Sequence, residues 1–276
     1  MKPVSPNVGI RWSELDGGVG VITLSRPPVN ALNWELKRAL LAILSQLSED
    51  EQIRCVIIAS DLPTTFCAGS DLYELSKDHD RPGSATQRTK FEFDLWQQLS
   101  GLPQPSIAAV EGHALGSGFE LSVACDFRIA GRGASFGLPE IKIGGGPGIQ
   151  TLGRLPLLVG LGAARRILLL GDSLTADEAK ALGLVDEVAP EGMAVERAIV
   201  LAHRLARQPS SSIRFLKAAL AAASAAAVAR VETEVLDGVE GLFLAPEMRE
   251  GIHAFLEKRP PDFAAAVALA SEATAR

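Results

Sequence analysis

The chain has 276 residues, 47% of them hydrophobic and 22% charged, with a formal net charge of −6. That length suits one main core with an appended subdomain, and the apolar fraction is ample for a soluble globular fold. The acidic balance argues against nucleic acid and anionic membranes as partners, because both are held by basic patches.

In chain order, residues 19–24 are a β-branched run halted by Ser-Arg-Pro-Pro and read as a strand. Asn33 is placed to cap a helix running to about Leu47, with Leu36, Leu40, Ile43, Leu44 and Leu47 on one face. Residues 54–59 form a short strand of the buried kind, so the strand–helix–strand order implies parallel pairing through a crossover. A loop is expected over 61–70. Residues 77–89 are polar, contain Pro82 and Gly83, and read as a mobile loop before helical spacing resumes over 91–99. Strands are expected at 106–110 and 126–130, and between them a helix over 119–125 opens directly after a cluster of glycines. Residues 144–148 are almost all glycine and proline. Helical spacing returns over 152–170, and Leu174-Thr-Ala-Asp-Glu-Ala marks a capped helix over 175–182. After about Pro190 three helical patterns follow, at 193–207, 212–229 and 231–243. The chain therefore divides into an α/β core over 1–195 and a helical region over 196–276.

Cys55, Cys67 and Cys125 are odd in number and contain no CxxC pair. They read as buried thiols in a reducing cytoplasm, with no metal site. Residues 1–7 carry no apolar segment of signal-peptide length. No run of about 18 uncharged apolar residues is present, 218–228 being the richest stretch.

Glu120 and Glu140 stand in the most apolar and glycine-dense part of the chain, where a carboxylate is costly unless it has a job. Burial and mutual repulsion raise the proton affinity of such a pair, which suits it to general acid–base work near neutral pH. The loops Phe66-Cys-Ala-Gly-Ser-Asp-Leu72 and Leu115-Gly-Ser-Gly-Phe119 are each a tight small-residue turn opening a helix. Backbone N–H groups at such turns point outward, and two aimed at one point make an oxyanion hole. The stretch 144–148 is no Walker loop, since no Gly-Lys-Ser/Thr follows, and 112–118 lacks the spacing of a dinucleotide fingerprint. His113 reads as structural, Cys67 has no histidine beside it in sequence, and Trp34, Tyr73 and Trp96 are candidates to line an acyl pocket.

Taken together, Phe66-Cys-Ala-Gly-Ser-Asp71, Gly112-His-Ala-Leu-Gly-Ser-Gly-Phe-Glu-Leu121, Cys125-Asp126 and Ser135-Phe-Gly-Leu-Pro-Glu-Ile141 closely resemble the enoyl-CoA hydratase/isomerase (crotonase) family. The resemblance continues through 144–154, returns at Ala254-Phe-Leu-Glu-Lys258, and covers nearly the whole chain. It implies a spiral of ββα units followed by C-terminal helices that build a trimer, or a hexamer of two trimers. It implies a CoA-thioester substrate and no prosthetic group. Glu120 and Glu140 fall on the family's hydratase glutamates, which hold a water and pass a proton to the substrate α-carbon. Ser70 and Ser117 fall on the oxyanion positions, Ser117 standing where the family has glycine. Gly148 matches a glycine whose N–H orients the site. For CoA, the resemblance implies the backbone around Ala68, Ser70, Asp71, Leu72 and Tyr73, with Arg26 after the first strand and Phe255 and Lys258 near the C-terminus, the last two reaching a neighbouring subunit's ligand. Tyr73 stands where many relatives have lysine. Retention of both glutamates points to hydration of a 2-enoyl-CoA or the reverse dehydration. A Δ3,Δ2-enoyl-CoA isomerase, a specialised dehydratase or lyase, and a non-catalytic acyl-CoA-binding protein are the alternatives. The acyl chain is expected to be read by 77–89 with Phe91 and Trp96.

Overall fold

Residues 8–79 and 81–274 are described by a computed structural model; residues 1–7, read above for a signal segment, lie outside the described residues. The first half runs β1 (Ile10–Leu15), β2 (Val19–Leu24), α1 (Trp34–Glu49), β3 (Cys55–Ser60), β4 (Thr65–Cys67), α2 (Leu72–Asp78), α3 (Ser84–Ser100), β5 (Ser106–Val110), β6 (His113–Leu115) and α4 (Ser117–Ala124). The second runs β7 (Phe127–Gly131), β8 (Ser135–Gly137), a 3₁₀ turn (Pro139–Ile143), α5 (Ile149–Leu170), β9 (Ser173–Thr175), α6 (Ala176–Ala181), β10 (Glu187–Ala189), α7 (Ala194–Ala206), α8 (Ser210–Phe243), α9 (Pro246–Leu256) and α10 (Phe263–Thr274).

Two sheets organise this order. The larger is β1-β2-β3-β5-β7-β10, parallel except where β1 pairs antiparallel with β2. The smaller is β4-β6-β8-β9, with β9 antiparallel to β8. Successive units thus send one long strand to the large sheet (β3, β5, β7) and one short strand to the small sheet (β4, β6, β8). The short strands carry the chain to one end of the molecule, where the functional turns follow them.

The central strands β2, β3 and β5 of the large sheet are covered on both faces, which is why they read as largely apolar runs. In β3, Val56 and Ile58 face the cluster that holds Leu36, Leu40, Ile43 and Leu44 of α1. The alternate residues Cys55, Ile57 and Ala59 face Ala194, Ala198 and Ala202 of α7. Alanines at four-residue spacing put methyl groups at the centre of that face of α7, flanked by Val195, Ile199, Leu201 and Leu205, and let the helix lie close to the strands. By this packing α7, which straddles residue 195, goes with the sheet. Asn33 caps α1 as expected, its side chain accepting from the Leu36 N–H at 2.9 Å. Thr175 and Glu178 form the full capping box of α6.

Three expectations are corrected. Residues 77–89 are not one mobile loop, because α2 runs to Asp78 and α3 begins at Ser84. The start of α3 has no cap in its own sequence; Glu240 of α8 accepts from the Gly83 N–H at 3.3 Å and the Thr86 N–H at 2.8 Å. The expected loop at 61–70 contains β4. The patterns at 212–229 and 231–243 are one continuous helix, α8, which lies along α5 and α3. By length and composition α8 includes a window apolar enough to cross a membrane, longer than the 218–228 stretch, and only 6% of it is buried within the chain. Lys217 anchors α8 to the sheet end through Asp126 and the Gln104 carbonyl.

The small sheet leaves no room where α4 begins. A Cβ on Gly118 would sit 2.2 Å from the Cys67 carbonyl oxygen and 2.7 Å from Cys67 Cβ. Gly118→Ala is therefore expected to cost about 1–3 kcal/mol through overpacking, read as a lower urea midpoint with an unchanged slope.

Candidate active site

The turns after β4 and β6 touch. Gly69 (φ +101°) and Gly116 (φ +52°) both adopt backbone that side chains avoid. A Cβ on Gly69 would lie 2.9 Å from the Leu115 oxygen and 3.3 Å from the Ser117 nitrogen. Glycine at 69 is what lets the two turns meet, and it brings Ser70 and Ser117 together with their Oγ atoms 2.9 Å apart. Ser117 is the first residue of α4 and has no positive φ, the unusual angle falling on Gly116 instead. Serine where the family has glycine is thus unstrained. Among the described residues neither the Ser70 nor the Ser117 amide N–H donates to a protein acceptor. Both residues line a cavity of about 650 Å³.

Glu120 and Glu140 line the same cavity. Glu120, one turn into α4, is 2% exposed. Both its oxygens are held: Oε2 accepts from the Trp96 indole N–H at 3.1 Å and Oε1 from the Gly148 N–H. Gly148 immediately precedes α5, so Glu120 also meets the positive end of that helix dipole. Glu140, in the 3₁₀ turn, is differently placed. Its Oε1 lies against Gly116, where a Cβ would come within 2.9 Å, and its Oε2 is buried without a hydrogen-bond partner among the described residues. Burial pushes the Glu120 carboxyl up to about 7, helped by the charge of Glu92 and opposed by the Gly148 and Trp96 donors and by Lys37. Burial, then the charge of Glu120, pushes Glu140 up to about 8.

Three further residues complete the site. Lys37 is fully buried, bonded to Glu92 Oε1 at 2.5 Å and donating to Ser70 Oγ at 3.1 Å. A chain Glu92–Lys37–Ser70–Ser117 therefore backs the two amides, and Trp96, which is not among the residues lining the cavity, fixes Glu120. Lys37 and Glu92 were not among the residues expected from the sequence, though a signal existed. Lys37 falls on the stripe of Leu40 and Leu44, and Glu92 on that of Leu95, Trp96 and Leu99. A charge on an apolar stripe is a buried charge.

The remaining expected residues divide. Ala68, Ser70, Leu72, Gly148 and Phe255 line the cavity of this chain. Arg26, Asp71, Tyr73 and Lys258 do not. The Arg26 guanidinium donates to Asp71 at 2.9 Å and to the Ala31 carbonyl at 2.8 Å, and so secures the turn. Asp71 caps α2 by accepting from the Tyr73 and Glu74 N–H groups. Tyr73 is 68% exposed and Lys258 is also exposed. Trp34 lies under the Arg38 and Arg88 guanidinium groups, edge-on to Phe91. His113 pairs with Ser135 Oγ at 2.7 Å. Burial pushes the Cys67 thiol up to about 12, and it donates to the Asn30 carbonyl, so it is no nucleophile.

The raised carboxyls have a consequence for stability. A carboxyl that binds its proton more tightly folded than unfolded contributes stability below its unfolded pKa and loses it as pH rises through the folded value. For Glu140 that loss runs from about 4.5 to about 8. Glu140→Gln is therefore expected to gain melting temperature relative to the parent between pH 5 and pH 9, at about 2–4 °C per kcal/mol recovered. A gap in melting temperature that stays flat with pH would contradict the assigned shift.

Residues 14–266 match the enoyl-CoA hydratase/isomerase family. The 2,3-dehydroadipyl-CoA hydratase of Escherichia coli K12 is 36% identical over 244 residues, covering 88% of this chain and 94% of that protein. An enoyl-CoA hydratase structure from Bacillus anthracis superposes with a TM-score of 0.74 at 34% identity, covering 92% of this chain and 98% of that one. Human mitochondrial Δ3,Δ2-enoyl-CoA isomerase superposes with a TM-score of 0.83 at 26% identity, covering 91% and 97%.

Proposed function

We propose that this chain, which belongs to the enoyl-CoA hydratase/isomerase family, adds water to a 2-enoyl-CoA to give a 3-hydroxyacyl-CoA, or runs the reverse dehydration. The observation that carries this reading is two buried carboxyls of raised proton affinity in one cavity with two unengaged amide N–H groups. Glu120, held through both oxygens, is the fixed base that positions the water and takes its proton. Glu140, with the higher proton affinity and an unpartnered oxygen, is the acid that delivers a proton to the α-carbon. As the water oxygen bonds to the β-carbon, the double-bond electrons move toward the thioester oxygen. The Ser70 and Ser117 N–H groups stabilise the resulting enolate, a role worth about 3–4 kcal/mol per donor in comparable oxyanion holes.

The CoA moiety enters over Ala68–Leu72 with Phe255 beside it in the same reading. The assembly is a trimer or a hexamer, supported by the outer face of α8, where Phe215 is 72% and Leu220 71% exposed. Its compartment is a reducing cytoplasm, supported by three unpaired buried cysteines.

The reaction is tested with crotonyl-CoA by loss of the conjugated-thioester absorbance. Glu140→Gln should lower kcat at least about a hundredfold, a typical acid–base contribution, with thioester binding retained; full turnover by this variant would end the assignment. Isomerisation of a Δ3-enoyl-CoA needs one acid–base group, so isomerase activity that survives Glu120→Ala would favour the isomerase reading. Binding without turnover of any enoyl-CoA would favour an acyl-CoA-binding protein. Glu92→Gln removes a charge that raises Glu120, so the acidic limb of the kcat/KM profile should move to lower pH. It should also cost about 3–5 kcal/mol of stability by stranding buried Lys37.

A further inference from the structure

Trp96, Glu92 and Arg88 share one face of α3 at four-residue spacing, and of these Glu92 and Arg88 line the cavity. Trp96 holds Glu120, Glu92 holds Lys37, and Arg88 lies about 12 Å along the helix axis from Trp96. Arg88 is 6% exposed and lines the cavity among Leu75, Ala85, Val239 and Phe243. Its Nη2 donates to Asp78 Oδ2 at 2.9 Å, and its guanidinium sits 4.9 Å over the Trp34 ring. Asp78 is shared, because Arg81 bonds its other oxygen at 3.0 Å. One carboxylate thus serves two guanidinium groups. Arg88 Nη1 is buried with no hydrogen-bond partner among the described residues. Of the other carboxylates on the cavity wall at this side, Glu92 is committed to Lys37 and Glu234 is exposed on α8.

A buried cationic N–H without an acceptor is costly, and in an apolar wall it selects an anionic oxygen that can complete its fork. We infer that Arg88 determines specificity by taking a carboxylate at the far end of the acyl chain, so that ω-carboxylated acyl thioesters are preferred over plain fatty acyl thioesters of equal length. The inference rests on the hydratase reading only in naming these thioesters as substrates. The carboxylate enters ionised and leaves ionised, and the hydration step at the other end of the chain is unchanged.

The test compares chains of matched length. Calorimetry with hexanoyl- and adipoyl-CoA, and with octanoyl- and suberoyl-CoA, reads binding without turnover. The enoyl counterparts of each pair read kcat/KM. In at least one pair the dicarboxylic ester should bind about tenfold more tightly or better, as expected for a hydrogen bond to a charged group. Arg88→Met should abolish that ratio and Arg88→Lys should keep part of it. Equal affinities throughout in the parent protein would overturn the inference, and this comparison decides the matter even where Arg88→Met fails to fold. A preference that survives Arg88→Met would overturn it as well. Equal weakening of both esters in the variant would place Arg88 on a CoA phosphate and also overturn it. If binding shows the preference but no enoyl ester is hydrated, the hydratase reading fails and the assignment of Arg88 stands. If all esters are hydrated with equal kcat/KM and bound equally, the reverse holds.

Discussion

Keeping the charge of Glu120 soluble inside the protein is the constraint around which the site is built. An ionised carboxylate at that depth loses several kcal/mol of solvation unless donors replace the water. Those donors come from separate elements: the Trp96 indole from α3, the Gly148 N–H from the start of α5, and the positive field of Lys37 from α1. Satisfying one side chain on α4 therefore requires three other helices in register. Of these residues Gly148 lines the cavity together with Glu120, so the packing that makes Glu120 tolerable also shapes part of the pocket.

The two glutamates are chemically alike and physically unequal. Glu120 has both oxygens occupied, while Glu140 keeps an oxygen buried and unpartnered and is raised further by the charge of Glu120. Environments that separate two carboxyls in this way assign base and acid roles without any difference in residue type. Lys37 adds a second layer, since one buried ammonium is bonded to Glu92 and to Ser70 and couples the electrostatics of the acids to the turn that carries an oxyanion amide. Pre-organised dipoles of this kind need no reorganisation during reaction, which is where their catalytic value lies.

Much of the fold was legible because its signals are local. The Asn33 cap, the β-branched runs at β2 and β3, the Ser106–Val110 strand and the Thr175 capping box each lie within a few residues. The short strands of the small sheet were not legible. Three residues such as His113–Leu115 carry too little pattern, and they are strands only because neighbours from distant turns lie beside them. The start of α3 was hidden for a related reason, its cap being Glu240 on a helix more than 150 residues later. The single helix α8 looked like two because helical propensity in isolation does not report the support of α5 and α3 along its length.

Sequence alone determined the chemistry on offer: Glu120 and Glu140 in an apolar stretch, two glycine turns opening helices, and the family these motifs resemble. Only the tertiary structure decided how those groups are used. It set Gly69 against the Leu115–Ser117 turn, bonded Trp96 to Glu120, bonded Arg26 to Asp71, and left one nitrogen of cavity-lining Arg88 buried without a partner among the described residues. The reason is that charge state and hydrogen-bond partnership depend on distances of about 3 Å between residues far apart in the chain. Local pattern places a residue on a face, and the packing of other elements against that face determines what it meets.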